Sequence, residues 1–160
     1  MEVVNFEKHK ELAEAFYKQV GKVNCPALKA EVYFTSDGFH HLRYDNNRSE
    51  RDKKVQLNKF KCLKFAIDIL KQTTTLQEYR TFLQRVGKSD KSGLYKTAMA
   101  EYYGFAAIVG ENRRVRVKVI VRKIGNGNFQ FWSVMPYWVV QDKPGGVRVK
   151  YFGGRNMDDE

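Results

Sequence analysis

Between Arg113 and Lys123 the chain alternates two kinds of side chain, Val115, Val117, Val119 and Val121 against Arg114, Arg116, Lys118, Ile120 and Arg122. Side chains of a strand repeat every second residue, so the valines form one face and the cations the other. No acid interrupts the run. A solvated outer face would normally mix both signs, and like charges crowded together without a counter-ligand repel one another. A row of cations can instead bind a phosphate and stabilise charge developing on it. A second chemical feature is the pair His40-His41, since imidazole is the natural general base near neutral pH. The remaining histidine, His9, falls on the polar side of an amphipathic segment. No metal-ligand spacing accompanies the histidines, and Cys25 and Cys62 are too few for a zinc cage or a disulfide framework, so neither a metal site nor a cofactor is expected.

The cationic row belongs to a hairpin. Gly125-Asn126-Gly127 separates it from a second apolar run, Phe129 to Trp138, and a glycine-rich tight turn between alternating runs is a strong short-range hairpin signal. A two-residue Asn126-Gly127 loop pairs Gly125 with Asn128, Arg122 with Phe131, Ile120 with Ser133 and Lys118 with Met135. Arg116, Lys118, Arg122 and Ser133 then share one open surface, with Trp132 and Val134 turned inward beside the valines. A three-residue loop shifts the pairing and turns Ser133 to the valine face. These glycines lie in a hairpin rather than between a strand and a helix, so they are no nucleotide fingerprint. Ser133 has no Gly-x-Ser-x-Gly context for hydrolase chemistry.

The elements that must position these residues follow from periodicity. Asn5 to Gln19 spaces Phe6, Leu12, Ala13, Phe16 and Val20 as one amphipathic helix, with Asn5 as N-cap and Gly21 and Pro26 closing it. Leu28 to Thr35 reads as a short strand with Val32 and Phe34 on one side. Thr35, Ser36 or Asp37 can cap a short helical turn that presents the histidines. Asn46 to Lys54 is polar and basic and carries Arg48 and Arg51. A long helix follows from about Asp52 to Gln72, burying Phe60, Leu63, Ile67 and Leu70, with Lys59, Lys61, Lys64 and Lys71 on its other faces. Cys62 falls in its apolar pattern as a core thiol. Leu76 to Val86 spaces its apolar residues as a second, shorter helix. Tyr102 to Val109 reads as a strand, and Val147 to Phe152 as a last one.

Helices followed by an antiparallel meander make an α+β fold, with the N-terminal and central helices packed on one face of a twisted antiparallel sheet. The 160 residues suit one domain, 1–152, with 153–160 as a flexible tail. Twenty-nine Lys and Arg against 18 Asp and Glu give a formal charge of +11. That excess points to a polyanionic partner, most simply nucleic acid, and the alternative is a basic surface with no partner. The absence of a signal peptide or a long apolar run leads to the expectation of a cytoplasmic protein without membrane contact.

One family resemblance joins these pieces. The segment Val32-Tyr33-Phe34-Thr35-Ser36-Asp37-Gly38-Phe39-His40-His41-Leu42, the following Arg48 and Arg51 with their long helix, and the hairpin ending Phe131-Trp132-Ser133-Val134-Met135-Pro136 resemble the phage and mobile-element branch of the barnase–EndoU–colicin–RelE-like nuclease superfamily. The likeness covers about Glu31 to Tyr137. It implies helices on a twisted antiparallel sheet (the BECR or RelE-like fold) and a metal-independent endoribonuclease, a toxin or phage effector. The His-Leu signature falls on His41-Leu42, the family's basic strand residue on Arg116 or Lys118, and its hairpin serine on Ser133. His41 is then the base that takes the proton of a ribose 2′-hydroxyl, leaving a 2′,3′-cyclic phosphate. Arg116, Lys118 and Arg122 stabilise the phosphorane, and Ser133 bonds a phosphate oxygen. His40, Arg43, Arg48, Arg51, Arg114 and Tyr137 complete the RNA-binding set. An acidic inhibitor or antitoxin is the protein partner such an activity calls for. A non-catalytic RNA-binding module on the same basic sheet face is the competing reading. A DNA-binding role for the Lys-rich helix lacks a turn-linked helix pair.

Overall fold

The computed structural model describes residues 5–109, 114–143 and 146–151. Its elements in chain order are helix α1 (Phe6–Val20), strand β1 (Lys22–Cys25), a 3-10 turn (Pro26–Leu28), β2 (Ala30–Tyr33), α2 (Ser36–Arg43), α3 (Lys53–Gln72), β3 (Glu78–Val86), β4 (Lys96–Val109), β5 (Arg114–Ile124), β6 (Phe129–Lys143) and β7 (Gly146–Tyr151). The class is α+β, three helices packed against one open sheet. The strand order is β1-β2-β6-β5-β4-β3, with β7 paired to β6. The sheet is mixed rather than wholly antiparallel, because β2 runs parallel to β6 through Val32↔Phe129 and Tyr33↔Gln130. That pairing matters for the site. The helix leaving β2 is α2, and joining β2 to β6 lays α2 against the return strand of the hairpin.

The core lies between the valines of β5 and the helices. Val117, Val119 and Val121 are fully buried against α3 residues such as Leu63 and Leu70. Burial of each such side chain contributes about 1.5–3 kcal/mol. Helix α3 buries Phe60, Leu63 and Leu70 of its expected stripe and leaves Ile67 half-buried, with Ile69 inside instead. Asp52 caps it by accepting from the Lys54 backbone amide at 2.9 Å. Helix α1 differs. It buries Phe6, Ala13 and Tyr17, and leaves Leu12 60% and Phe16 38% exposed. The aromatic ring at position 17 wins the inward place because it packs on Phe34, Phe39 and Phe131, and its hydroxyl finds the Thr35 carbonyl.

Two local expectations are corrected, and one strand was not expected. Leu76 to Val86 is not a helix but holds edge strand β3, paired with β4 from Glu78↔Gly104 to Val86↔Lys96. Its apolar residues fit a spacing of three and four only because they come from both faces of the strand. Phe82 stacks inward on Tyr102, while Leu83 is 67% exposed. Strand β1, in the four residues from Lys22 to Cys25, is too short to show a period. It exists because it pairs with β2 from Lys22↔Tyr33 to Cys25↔Ala30. The strand expected from Leu28 begins at Ala30, after the 3-10 turn and Lys29, which adopts a φ of 51°. The tail from 153 onward lies outside the described residues.

The hairpin register is right at its centre and wrong at its tip. Ile120↔Ser133 and Lys118↔Met135 are observed, but Arg122 faces Gln130, not Phe131. A bulge between Ile120 and Val121 inserts Trp132 as an extra residue. The loop accordingly spans 125–128, with the Gly127 amide donating to the Ile124 carbonyl at 2.9 Å. Gly125 sits at φ +54°, a left-handed conformation suited to glycine. The bulge also exchanges the inward residues. Phe131 joins the valine core, and Trp132 enters a separate cluster with Ala100, Tyr102, Ile120 and Met135.

Two consequences can be measured. A Cβ at Gly38 would collide with the Phe131 carbonyl and the Tyr17 hydroxyl, so glycine is what lets α2 approach β6. Gly38→Ala is expected to cost at least about 2 kcal/mol, read as a lowered denaturation midpoint. Burial also pushes the Cys62 thiol up to about 11 from its ordinary value of 9.0. The unfolded state then loses the proton first. The stabilisation is full below the unfolded value and is lost as pH rises through the folded one. Unfolding midpoints should therefore decline between those values, and Cys62→Ala should decline less over the same interval.

Candidate functional site

The bulge places an indole where the hairpin meets α2. The His41 ring stacks on Trp132 with centroids 4.1 Å apart and planes at 17°. The Arg122 guanidinium carbon lies 3.6 Å from the centre of the same indole. Two groups that close cannot occupy one face, so Trp132 lies between the imidazole and the guanidinium. Cation–π attraction favours that position for Arg122, whose far nitrogen donates to Gln130 Oε1 at 3.3 Å. Its Nε is buried and has no hydrogen-bond partner among the described residues.

His41 is 3% exposed and is gripped by Arg51, which donates from Nε to the His41 carbonyl at 3.0 Å and from Nη2 to Nε2 at 3.2 Å. A guanidinium only donates, so Nε2 is the acceptor and the ring proton is assigned to Nδ1. Arg51 is itself fixed from behind. The fully buried Gln56 of α3 donates to the Arg51 carbonyl at 2.6 Å and accepts from Arg43 Nε at 3.3 Å. The Arg51 amide donates to the Arg43 carbonyl at 2.8 Å, tying the basic loop to the end of α2. Arg43 also meets Glu50 at 3.6 Å.

Ser133 is buried, and its Oγ accepts from Lys59 Nζ at 2.9 Å. This corrects two expectations together. Ser133 does not stand on an open surface, and Lys59, expected on a solvent face of α3, is 4% exposed. The physical reason is the bulge, which turns consecutive residues Trp132 and Ser133 away from simple alternation and into the packed layer.

The expected row of cations is divided. Lys118 is 5% exposed and pairs with Glu78 at 2.8 Å. Because β4 runs between β5 and β3, the pair must pass over it, and there β4 carries only Gly104 and Ala106. Arg116 shares with that pair a polar cavity of about 250 Å³. Gln77 borders it and imitates one more strand pairing, donating to the Ala106 carbonyl and accepting from its amide, both at 3.0 Å. Arg116, Lys118, Arg122 and Ser133 therefore do not form one open face. Of the expected set, the structure brings His41 and Arg122 onto Trp132 and Arg51 onto His41, with Ser133 next in the chain, and puts Arg116 and Lys118 beside Glu78.

His40 is exposed and stacks on Tyr44 at 4.5 Å, and with Arg43 it borders a second cavity, of about 390 Å³, over Tyr17, Phe34 and Phe39. Arg48 stands exposed at φ 62° in the turn closed by Asp45. The side chains of Arg114 and Tyr137 lie outside the described residues. Trp132, Lys59 and Glu78 were not among the expected residues. Only Trp132 carried a usable signal, as a large aromatic at the hairpin position most sensitive to register. No helix among the described residues is long and apolar enough to cross a membrane. No family model, curated protein or solved structure matches the chain.

If Lys59 is held by Ser133, Ser133→Ala should cost on the order of 1–3 kcal/mol, because a buried ammonium loses an acceptor. Chemical denaturation of Ser133→Ala against Lys59→Met;Ser133→Ala tests this. The double variant should recover part of the loss.

Proposed function

We propose that the chain binds RNA at the Trp132 cluster and cleaves it there without a metal ion. The observation that carries this reading is the Arg122 Nε, a buried cationic donor without a partner among the described residues, set across one indole from a histidine whose Nε2 is an acceptor. A buried donor left unsatisfied costs about 1–3 kcal/mol, and a phosphate oxygen is the ligand that matches its charge. An accepting Nε2 is the form a general base requires. The formal charge of +11 supplies long-range attraction to a polyanion. The likeness to the barnase–EndoU–colicin–RelE-like nucleases, carried by His41-Leu42 and the Phe131 to Pro136 segment, points the same way.

In this mechanism a phosphate draws Arg51 away from His41 and takes up both guanidinium groups. His41 removes the 2′-hydroxyl proton and the 2′-oxygen attacks phosphorus. The bond to the 5′-oxygen breaks as that oxygen takes a proton from water, and His41 returns its own proton to solvent, giving a 2′,3′-cyclic phosphate and a free 5′-hydroxyl. Arg51 and Arg122 face the charge that develops on the phosphorane. DNA lacks the nucleophile.

A second reading, RNA binding without cleavage, is favoured by one specific observation: His41 is 3% exposed, with Nε2 already held by Arg51. The two separate in one assay. Total RNA is incubated with the protein in EDTA, beside His41→Asn and Arg122→Met variants shown by circular dichroism to be folded. Cleavage to cyclic phosphate ends that survives EDTA and falls on the order of 100-fold or more in either variant is the expected result. RNA retention with no cleavage leaves the binding module. Strict magnesium dependence rules out the mechanism.

A further inference from the structure

The groove between α1 and α3 lies apart from the Trp132 cluster, and nothing described above employs it. On α1 it is lined by positions 9, 12, 13 and 16, and on α3 by 57, 60, 61, 63 and 64. The α1 set follows the i, i+3, i+4, i+7 spacing of one helical stripe, and so do 57, 60, 61 and 64 on α3, with the buried Leu63 beside them. The cavity between the stripes is about 390 Å³. Its base is apolar, built from Ala13, Leu57 and Phe60, all buried. One wall is Leu12 and Phe16, the two large apolar residues that α1 leaves 60% and 38% exposed. Its titratable lining is His9, Lys61 and Lys64, all exposed and with no carboxylate among them.

We propose that this groove is a docking site for an acidic amphipathic helix of a partner protein. Two parallel stripes with a trough between them present to a third helix the surface that an apolar i, i+3, i+4, i+7 face fills. The trough is concave, which suits a helix about 10–12 Å wide and not a flat bilayer. The rim selects the sign of the partner: Lys61 and Lys64 flank the apolar base and meet carboxylates on the flanks of the incoming helix. A second copy of this chain would bring another cationic rim to the first, against a formal charge of +11 on each.

The test uses the full chain and a fluorescein-labelled designed peptide about 18 residues long, with Leu and Phe on one helical stripe and Glu elsewhere. Its controls are the same stripe with Lys in place of Glu, and an acidic scramble without the stripe. Fluorescence anisotropy should show low-micromolar binding of the acidic amphipathic peptide, with both controls at least roughly tenfold weaker. Leu12→Glu and Lys61→Glu should each weaken it by about tenfold or more, with the melting temperature held within a few degrees. RNA binding by Leu12→Glu should be unchanged, so failure at the groove and failure at the RNA site are read separately. Equal binding of the scramble, or indifference to Leu12→Glu, overturns the proposal. So does Leu12-dependent binding to phosphatidylserine vesicles, or a Leu12-dependent dimer in sedimentation velocity, in the absence of peptide binding.

Discussion

The site depends on one stack of three side chains, His41 against Trp132 against Arg122. Its existence is a matter of backbone register. In an unbroken antiparallel ladder Trp132 would alternate into the valine core, and Phe131 would lie outside it. One inserted residue between the pairs Ile120↔Ser133 and Val121↔Phe131 reverses that assignment. The indole then becomes a surface on which a helix from one part of the chain and a strand from another are joined. The parallel pairing of β2 with β6 supplies the other half, since it carries α2 and His41 to the hairpin. Gly38 permits the close approach.

Around that stack, polar groups are built into the interior at some cost and held by specific partners. Lys59 donates to Ser133, Lys118 meets Glu78, and Gln56 binds both the Arg51 carbonyl and Arg43. Buried charge retained in this way is weak evidence for stability, because apolar residues of the same size often serve as well or better. Its worth lies in position. Gln56 and Asp52 fix the end of the basic loop from α3, so Arg51 meets His41 from a supported backbone rather than from a free segment. Arg122 Nε is not held in this way: it is buried without a hydrogen-bond partner among the described residues, on a side chain that lies against the ring His41 also covers.

Much of the frame was legible in the sequence. The valine alternation defined β5, the stripe at Phe60, Leu63 and Leu70 defined α3, and the Thr35 to Asp37 segment marked the start of α2. These signals are local, and period alone reveals them. What failed was non-local. Strand β3 is an edge whose two faces both carry apolar residues, so its pattern imitates a helix until β4 is known to pair with it. The bulge at Trp132 leaves no mark in composition. Lys59 and Ser133 are 74 residues apart, and nothing near either of them announces the other. His41 was legible as chemistry, and its partner Arg51 as a cation. That they meet, and that the indole lies between His41 and Arg122, follows only from packing.

The central proposal is that a phosphate of RNA supplies the acceptor that Arg122 Nε lacks among the described residues. The most direct measurement is NMR of the arginine Nε–Hε and histidine ring signals during titration with a 2′-O-methyl RNA oligonucleotide, which binds without offering a nucleophile. The account predicts a saturable shift of Arg122 Nε–Hε as it acquires an acceptor. It also predicts a concurrent change at His41 Nε2 as Arg51 leaves it. Shifts confined to exposed cations such as Arg48 and Lys54, with Arg122 and His41 unmoved at saturation, would contradict it.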